Sequence, residues 1–343
     1  MDYENDRIEI GTLIALFIIP LAVLIISSCT KSYGEETAAT AAAPMEKIVA
    51  VPESPPPHPL SIEGLREREY SAEPLILLDA IPAADGLAAR EFSYVSEGHT
   101  LYGLIEQPSG TPPADGWPVI LLAHGYIPVE AYSTMDSYRL VTRYYAAGGF
   151  MVVKPDYRGH GRSEGPSESA ARTIDYSVDV LNLLSGLDKI PGADTNNVFL
   201  YGHSMGGEIG LRILTVNQSL KGATLWAAVT EDFPENTMYF IRRRGGDAAE
   251  RLQSLIDAEF EPEDYPSLTP NSYLDSISVP LLVHHGTADE SVPFEWSVPF
   301  RSRMDEAGVD YQFYEYPGED HNISRSFYSV MDTDMAFFRS LME

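Results

Sequence analysis

The 343-residue chain is short of cysteine and of positive charge. Its single cysteine, Cys29, excludes an intrachain disulfide and any paired-cysteine metal site. No H-E-x-x-H run is present, so no zinc site is expected. No Walker-type glycine loop is present to hold a nucleotide, and no cofactor is expected. Lysine and arginine number 23 against 51 acidic residues, a net charge of −28. Such a surface repels phosphate backbones and anionic headgroups, which sets both aside as specific partners. Long apolar runs are scarce too, the one of membrane scale lying at residues 10–28. What is present is a 44% hydrophobic composition, enough for a sizeable core in one large domain or two modest ones.

That apolar run ends in Ile26-Ser27-Ser28-Cys29. It resembles a bacterial lipoprotein signal peptide with its lipobox. The resemblance implies cleavage before Cys29, a lipid on its thiol, and a domain anchored in the bacterial cell envelope outside the cytoplasm. The residues before the run carry Asp2, Glu4, Asp6 and Glu9 against Arg7 alone. An uncleaved membrane anchor is the other reading of the segment. Residues 29–75, rich in alanine and proline, are expected to be linker, with the folded domain at 76–343.

From Arg90 onward the pattern sharpens. Glu91–Val95 and Thr100–Ile105 alternate around Ser96-Glu97-Gly98-His99, which predicts a hairpin. Apolar runs at Trp117–Ala123, Phe150–Val153, Val198–Tyr201, Ala223–Ala228 and Pro280–His284 predict the strands of a buried sheet. Helical spacing at Ala131–Ala147, Thr173–Leu187, Phe294–Ala307 and Ser326–Leu341 separates them, with a last strand at Tyr311–Tyr316. The expectation is an α/β fold: a mainly parallel sheet covered by helices on both faces. Residues 231–278 interrupt the alternation and are expected to form an inserted helical cap.

Two G-x-S-x-G matches occur. Gly161-Arg162-Ser163-Glu164-Gly165 lies in a polar loop. Gly202-His203-Ser204-Met205-Gly206 follows an apolar strand and opens a helix, the setting in which a strained turn exposes a nucleophilic serine. A serine hydroxyl needs a base, and the base needs a carboxylate to hold its tautomer. Downstream histidines are His284 and His285, at the end of a strand, and His321, in a polar loop. Ser204, Asp289 and His321 form the expected triad. Glu290 is the neighbour that could displace Asp289; Asp320 is adjacent to His321 and too close in sequence to face the right ring nitrogen. Oxyanion donors are expected from the N–H groups of Met205 and Tyr126. Arg242, Arg243 and Arg244 are a weaker expectation, as partners for a substrate carboxylate.

Asp156–Gly165, Gly202–Gly207 and His285–Asp289 together resemble an α/β-hydrolase, and more narrowly the catalytic domain of prolyl-oligopeptidase-type serine peptidases and related esterases. The resemblance implies hydrolysis of a small-molecule ester, or of a short peptide, through an acyl-enzyme on Ser204. The stretch before Arg90 leaves no room for the propeller such oligopeptidases usually carry. A non-catalytic envelope protein binding a partner on the same fold is the competing class, and an intact triad argues against it.

Overall fold

The structure, a computed structural model, describes residues 56–342. The expected signal peptide, Cys29 and the start of the linker lie outside the described residues. Among the described residues, no helix is long and apolar enough to cross a membrane.

The chain runs α1 (Ile62–Glu67), β1 (Ile76–Ile81), β2 (Leu87–Ser96), β3 (His99–Pro108), β4 (Trp117–Ala123), α2 (Arg139–Ala147), β5 (Met151–Pro155), α3 (Arg172–Ser185), β6 (Ala193–His203) and α4 (Met205–Val216). It continues with β7 (Gly222–Trp226), α5 (Glu235–Arg244), α6 (Ala248–Glu259), α7 (Tyr265–Leu268), β8 (Leu281–Gly286), α8 (Ser297–Ala307), β9 (Tyr311–Tyr316) and α9 (Phe327–Ser340). The nine strands form one sheet in the order β1-β2-β3-β5-β4-β6-β7-β8-β9. The first three pair antiparallel, and all pairings from β5 through β4 to β9 are parallel. The predicted hairpin is there, closed by Glu97 (φ 51°) and Gly98 (φ 79°). Both residues lie in the left-handed region that a two-residue hairpin turn requires.

Parallel strands need helical crossovers, and those helices cover both faces, so the central strands read as unbroken apolar runs. Every residue of β5, β7 and β8 is buried. One core layer gathers Leu121, Val153, Leu200, Leu225 and Val283; the opposite face packs Ile120, Phe199, Trp226 and Phe338.

Three expectations are corrected. The linker does not extend to residue 75. Ser61 caps α1, Ile62 and Leu65 are fully buried, and Arg66 donates to the Thr215 carbonyl, so α1 belongs to the folded body. Two apolar residues in one turn give too weak a periodicity to announce it. The helix expected from Ala131 begins only at Arg139. Tyr138 is left-handed (φ 62°), and residues 131–137 form turns pinned by side chains. The strand expected to reach Ala228 ends at Trp226, where Ala227 turns left-handed (φ 44°). Residues 231–278 are helical as expected, supplying α5, α6 and α7 between β7 and β8.

Candidate active site

Ser204 sits between β6 and α4 with φ 58° and ψ −122°. A non-glycine residue there is strained, and the surroundings hold it. Its N–H donates to the Trp226 carbonyl at 2.9 Å, and its carbonyl accepts from Gly207 at 2.9 Å and Val229 at 3.1 Å. The turn is tight because the glycines have no side chain: a Cβ on Gly206 would strike the Ala123 carbonyl, and one on Gly207 the Ala228 side chain. The other match is built differently. Ser163 is buried and tied to the backbone, accepting from the Tyr102 N–H at 2.9 Å.

His321 lies in the loop after β9, beside the serine turn. Its ring centroid is 4.7 Å from that of His203, the residue before Ser204. Its Nδ1–H donates to Asp289 Oδ2 at 2.8 Å, which leaves Nε2 as the free acceptor. Asp289 lies on the loop after β8 and takes three further bonds: from His285 Nε2 at 3.0 Å and from the N–H groups of Ser291 and Val292 at 2.8 and 2.9 Å. Burial opposes its charge, but the hydrogen bonds from His285 and His321 outweigh it and hold the carboxyl well below the usual carboxylate range. Neither competing acid takes this place. Glu290 reaches only the His321 N–H, at 3.4 Å, and Asp320 binds the N–H groups of Asn322 and Ser324 in its own loop. His285 is a second orienter of Asp289 that sequence reasoning left at the strand end. The available signal was its place four residues before the acid. Its neighbour His284 is buried away from the site, between Tyr316 and Asp334.

Tyr126 and Met205 line the same cleft as Ser204, a space of about 440 Å³. Neither N–H donates a hydrogen bond among the described residues. A Cβ on Gly125 would lie 3.1 Å from that of Ser204, so the loop after β4 runs against the serine. That loop is anchored from below. Tyr132 and Thr134 both donate to the buried Asp156 carboxylate at 2.5 Å, and Lys154 Nζ donates to the Tyr132 hydroxyl at 2.8 Å.

A chain of hydrogen bonds links this loop to the His321 loop. The Gly125 N–H donates to the Tyr138 hydroxyl at 2.8 Å, so that hydroxyl donates onward to His203 Nδ1 at 2.5 Å. His203 Nε2–H then meets the His321 carbonyl at 3.2 Å. Burial and the adjacent His321 push His203 down to about 3, so it is neutral, as the chain requires. Sequence reasoning missed this link, because Tyr138 is isolated in sequence from everything it binds.

The three consecutive arginines diverge. Arg242 pairs with Glu235 at 2.6 Å on the exposed side of α5 and does not line the cleft. Arg243 donates to the Tyr239 hydroxyl at 2.9 Å and reaches the Glu290 carbonyl at 3.3 Å. Only Arg244 lines the cleft, together with Arg172, which the sequence did not single out. Glu208, one turn into α4, joins both the insert and α3 to the serine helix by accepting from Asn236 at 2.9 Å and from Thr173 at 2.7 Å. Burial raises its pKa. Among the described residues no cluster of histidine, cysteine, aspartate or glutamate is arranged to hold a metal ion.

A strained serine at the carboxyl end of a central parallel strand, with a histidine bonded to an acid on successive loops beside its turn, is an α/β-hydrolase arrangement, and the sheet is that of the α/β-hydrolase fold. The sequence model of the prolyl oligopeptidase family matches residues 136–343, and the chain belongs to that family. Dipeptidyl peptidase 8 of mouse and of human are each 29% identical over 259 residues, covering 72% of this chain and 28% of theirs. The chain thus spans less than a third of those relatives. The uncharacterized peptidase YtmA of Bacillus subtilis is 23% identical over 214 residues, 62% of this chain and 77% of YtmA. Of solved structures, an acetyl xylan esterase from Paenibacillus sp. R4 superposes with a TM-score of 0.60 at 15% identity, covering 81% of this chain and 92% of the esterase. The acylaminoacyl peptidase of Pyrococcus horikoshii does so with a TM-score of 0.58 at 22% identity, covering 75% and 42%.

Proposed function

We propose that the protein is a serine hydrolase that cleaves carboxylic esters through an acyl-enzyme on Ser204. The observation that carries this reading is His321, bonded to a deprotonated Asp289 beside a serine held in a strained turn. Its Nε2 takes the Ser204 proton as Oγ attacks the acyl carbon. Asp289 stabilises the imidazolium that forms. The Tyr126 and Met205 N–H groups receive the oxyanion of the tetrahedral intermediate. Collapse expels the alcohol, which takes the proton back from His321. Water then repeats the sequence and frees the acid. Ser204 Oγ makes no hydrogen bond to the His321 ring in the free protein; such contacts often tighten only when substrate binds.

The same machinery cleaves amides, and a peptidase acting on short peptides is the second reading. It is favoured by the relatives, which are named as peptidases. The full chain, assayed side by side on short-acyl nitrophenyl esters and aminoacyl nitroanilides, separates the two. Ester turnover without anilide turnover is expected. Efficient anilide turnover moves the assignment to a peptidase. Ser204→Ala should lower turnover by roughly 10³-fold or more while the far-ultraviolet circular dichroism is unchanged. Unaltered turnover would place the nucleophile elsewhere.

The Ile26-Ser27-Ser28-Cys29 signature supports attachment to the bacterial envelope by a lipid on Cys29, with the domain facing away from the cytoplasm.

A further inference from the structure

Ion pairing in this molecule is close to complete for its basic side chains. From residue 56 to 342, every lysine and arginine except three has a carboxylate, carbonyl or hydroxyl partner. That is expected where acids outnumber bases 51 to 23. The exceptions are Arg90, on β2 near the far edge of the sheet, Arg172 and Arg244.

Arg172 and Arg244 stand together although one opens α3 and the other ends α5. Their guanidinium carbons lie 5.5 and 4.5 Å from the centre of the same ring, that of Tyr126. Both line the Ser204 cleft. Both also line a neighbouring groove of about 700 Å³ that runs on between α3 and α6 past Ile241, Leu252 and Leu255. The two arginines and Thr237 are the junction of these spaces. Arg172 is half-buried, and its Nε is buried with no hydrogen-bond partner. Among the described residues neither guanidinium has a carboxylate or carbonyl partner, so an oxyanion in the cleft would supply the missing acceptor. Glu208 does not supply it. It lines the same cleft and feels the Arg172 charge, but it is engaged by Thr173, Asn236 and Arg212 and makes no hydrogen bond to either arginine.

We infer that Arg172 and Arg244 are specificity-determining residues that receive a carboxylate carried by the substrate at the mouth of the Ser204 cleft. Guanidinium forks suit a planar oxyanion, and both arginines stand against the Tyr126 ring at the junction of the two spaces. In a chain of net charge −28, with Glu208 and Glu168 lining the two spaces, the two arginines are what would draw an anion to the mouth. The inference rests on the hydrolase reading and deepens it: the substrate is an ester or short peptide with a free carboxylate, on the acyl or the leaving side.

The test uses the full chain and matched substrate pairs. Nitrophenyl monosuccinate against nitrophenyl butyrate probes the acyl side. An acetylated dipeptide with a free against an amidated C-terminus probes the leaving side. The charged member of at least one pair should be favoured about tenfold or more in kcat/KM, in keeping with one charge-assisted contact. In Arg172→Gln and in Arg244→Gln that ratio should collapse to within about threefold of unity. Arg90→Gln, which removes the same charge far from the cleft, should keep the wild-type ratio. Arg244 is exposed, so its variant is not expected to fail in folding. Preference for the neutral member in both pairs, or a charged preference that survives both arginine variants, overturns the inference. If the wild-type chain turns over none of the four compounds, the hydrolase reading falls. The arginines are then decided by binding of N-acetylglycine against N-acetylglycinamide to the Ser204→Ala chain. Tighter binding of the acid, lost in Ser204→Ala/Arg244→Gln, supports the carboxylate site, and equal affinity overturns it.

Discussion

His203 illustrates how a residue beside the nucleophile acts without touching substrate. It has one role toward each side, accepting from Tyr138 and donating to the His321 carbonyl, and it can fill both only while neutral. Its pKa falls from the ordinary 6.5 to about 3 on folding. The unfolded chain therefore binds the proton that the folded chain refuses, and stability drains as pH falls from 6.5 toward 3. In that window the slope of unfolding free energy against pH should be shallower in His203→Phe than in the wild type, by up to about 1.4 kcal/mol per pH unit. Chemical denaturation at pH 7 and at pH 5 measures it; identical slopes would assign the proton elsewhere. Ser204, Asp289 and His321 were legible in sequence because each sits in a pattern that short-range chemistry explains: glycines around a turn, an acid loop after a strand, a histidine in a polar loop. Tyr138 and Arg172 were not, since each works through partners distant in sequence, and His285 was passed over although its partner Asp289 lies four residues on.

The helix α9 shows the same at the scale of an element. Its sequence has ordinary apolar spacing, and its end residues were expected to within a position or so. What fixes it to the sheet is Asp334, fully buried, which accepts from Thr224 at 2.8 Å and His284 at 2.9 Å on one oxygen, and from Trp226 at 2.8 Å and Tyr145 at 2.9 Å on the other. One carboxylate thus joins β7, β8, α2 and α9. Replacing it with alanine strands four donors in the interior, so Asp334→Ala should lose about 3–5 kcal/mol in urea unfolding. A loss under about 1 kcal/mol would mean water satisfies the donors. The central strands were legible for the opposite reason: they are buried on both faces and read mostly as apolar runs, with Lys154, Thr224, His284 and His285 the polar residues of β5, β7 and β8. Helix α1 was illegible because six residues hold too little periodicity, and residues 131–138 because side-chain bonds to Asp156 override helical spacing.

For the molecule as a whole, the Cys29 proposal makes a clean separation between anchor and domain. Cys29→Ala in a bacterial host should move the protein from the membrane to the soluble fraction. Continued membrane association would point instead to an uncleaved span at residues 10–28.

The insert between β7 and β8 has one more consequence. Ser204, Asp289 and His321 come from the sheet's own loops, whereas Asn236, Thr237, Phe240 and Arg244 come from the insert alone. The triad residues therefore lie outside the insert, and of the two proposed anion-binding arginines Arg244 lies inside it and Arg172 does not. An insert exchanged at the two strand ends would carry away Asn236, Thr237, Phe240 and Arg244 and leave Ser204, Asp289, His321 and Arg172 in place.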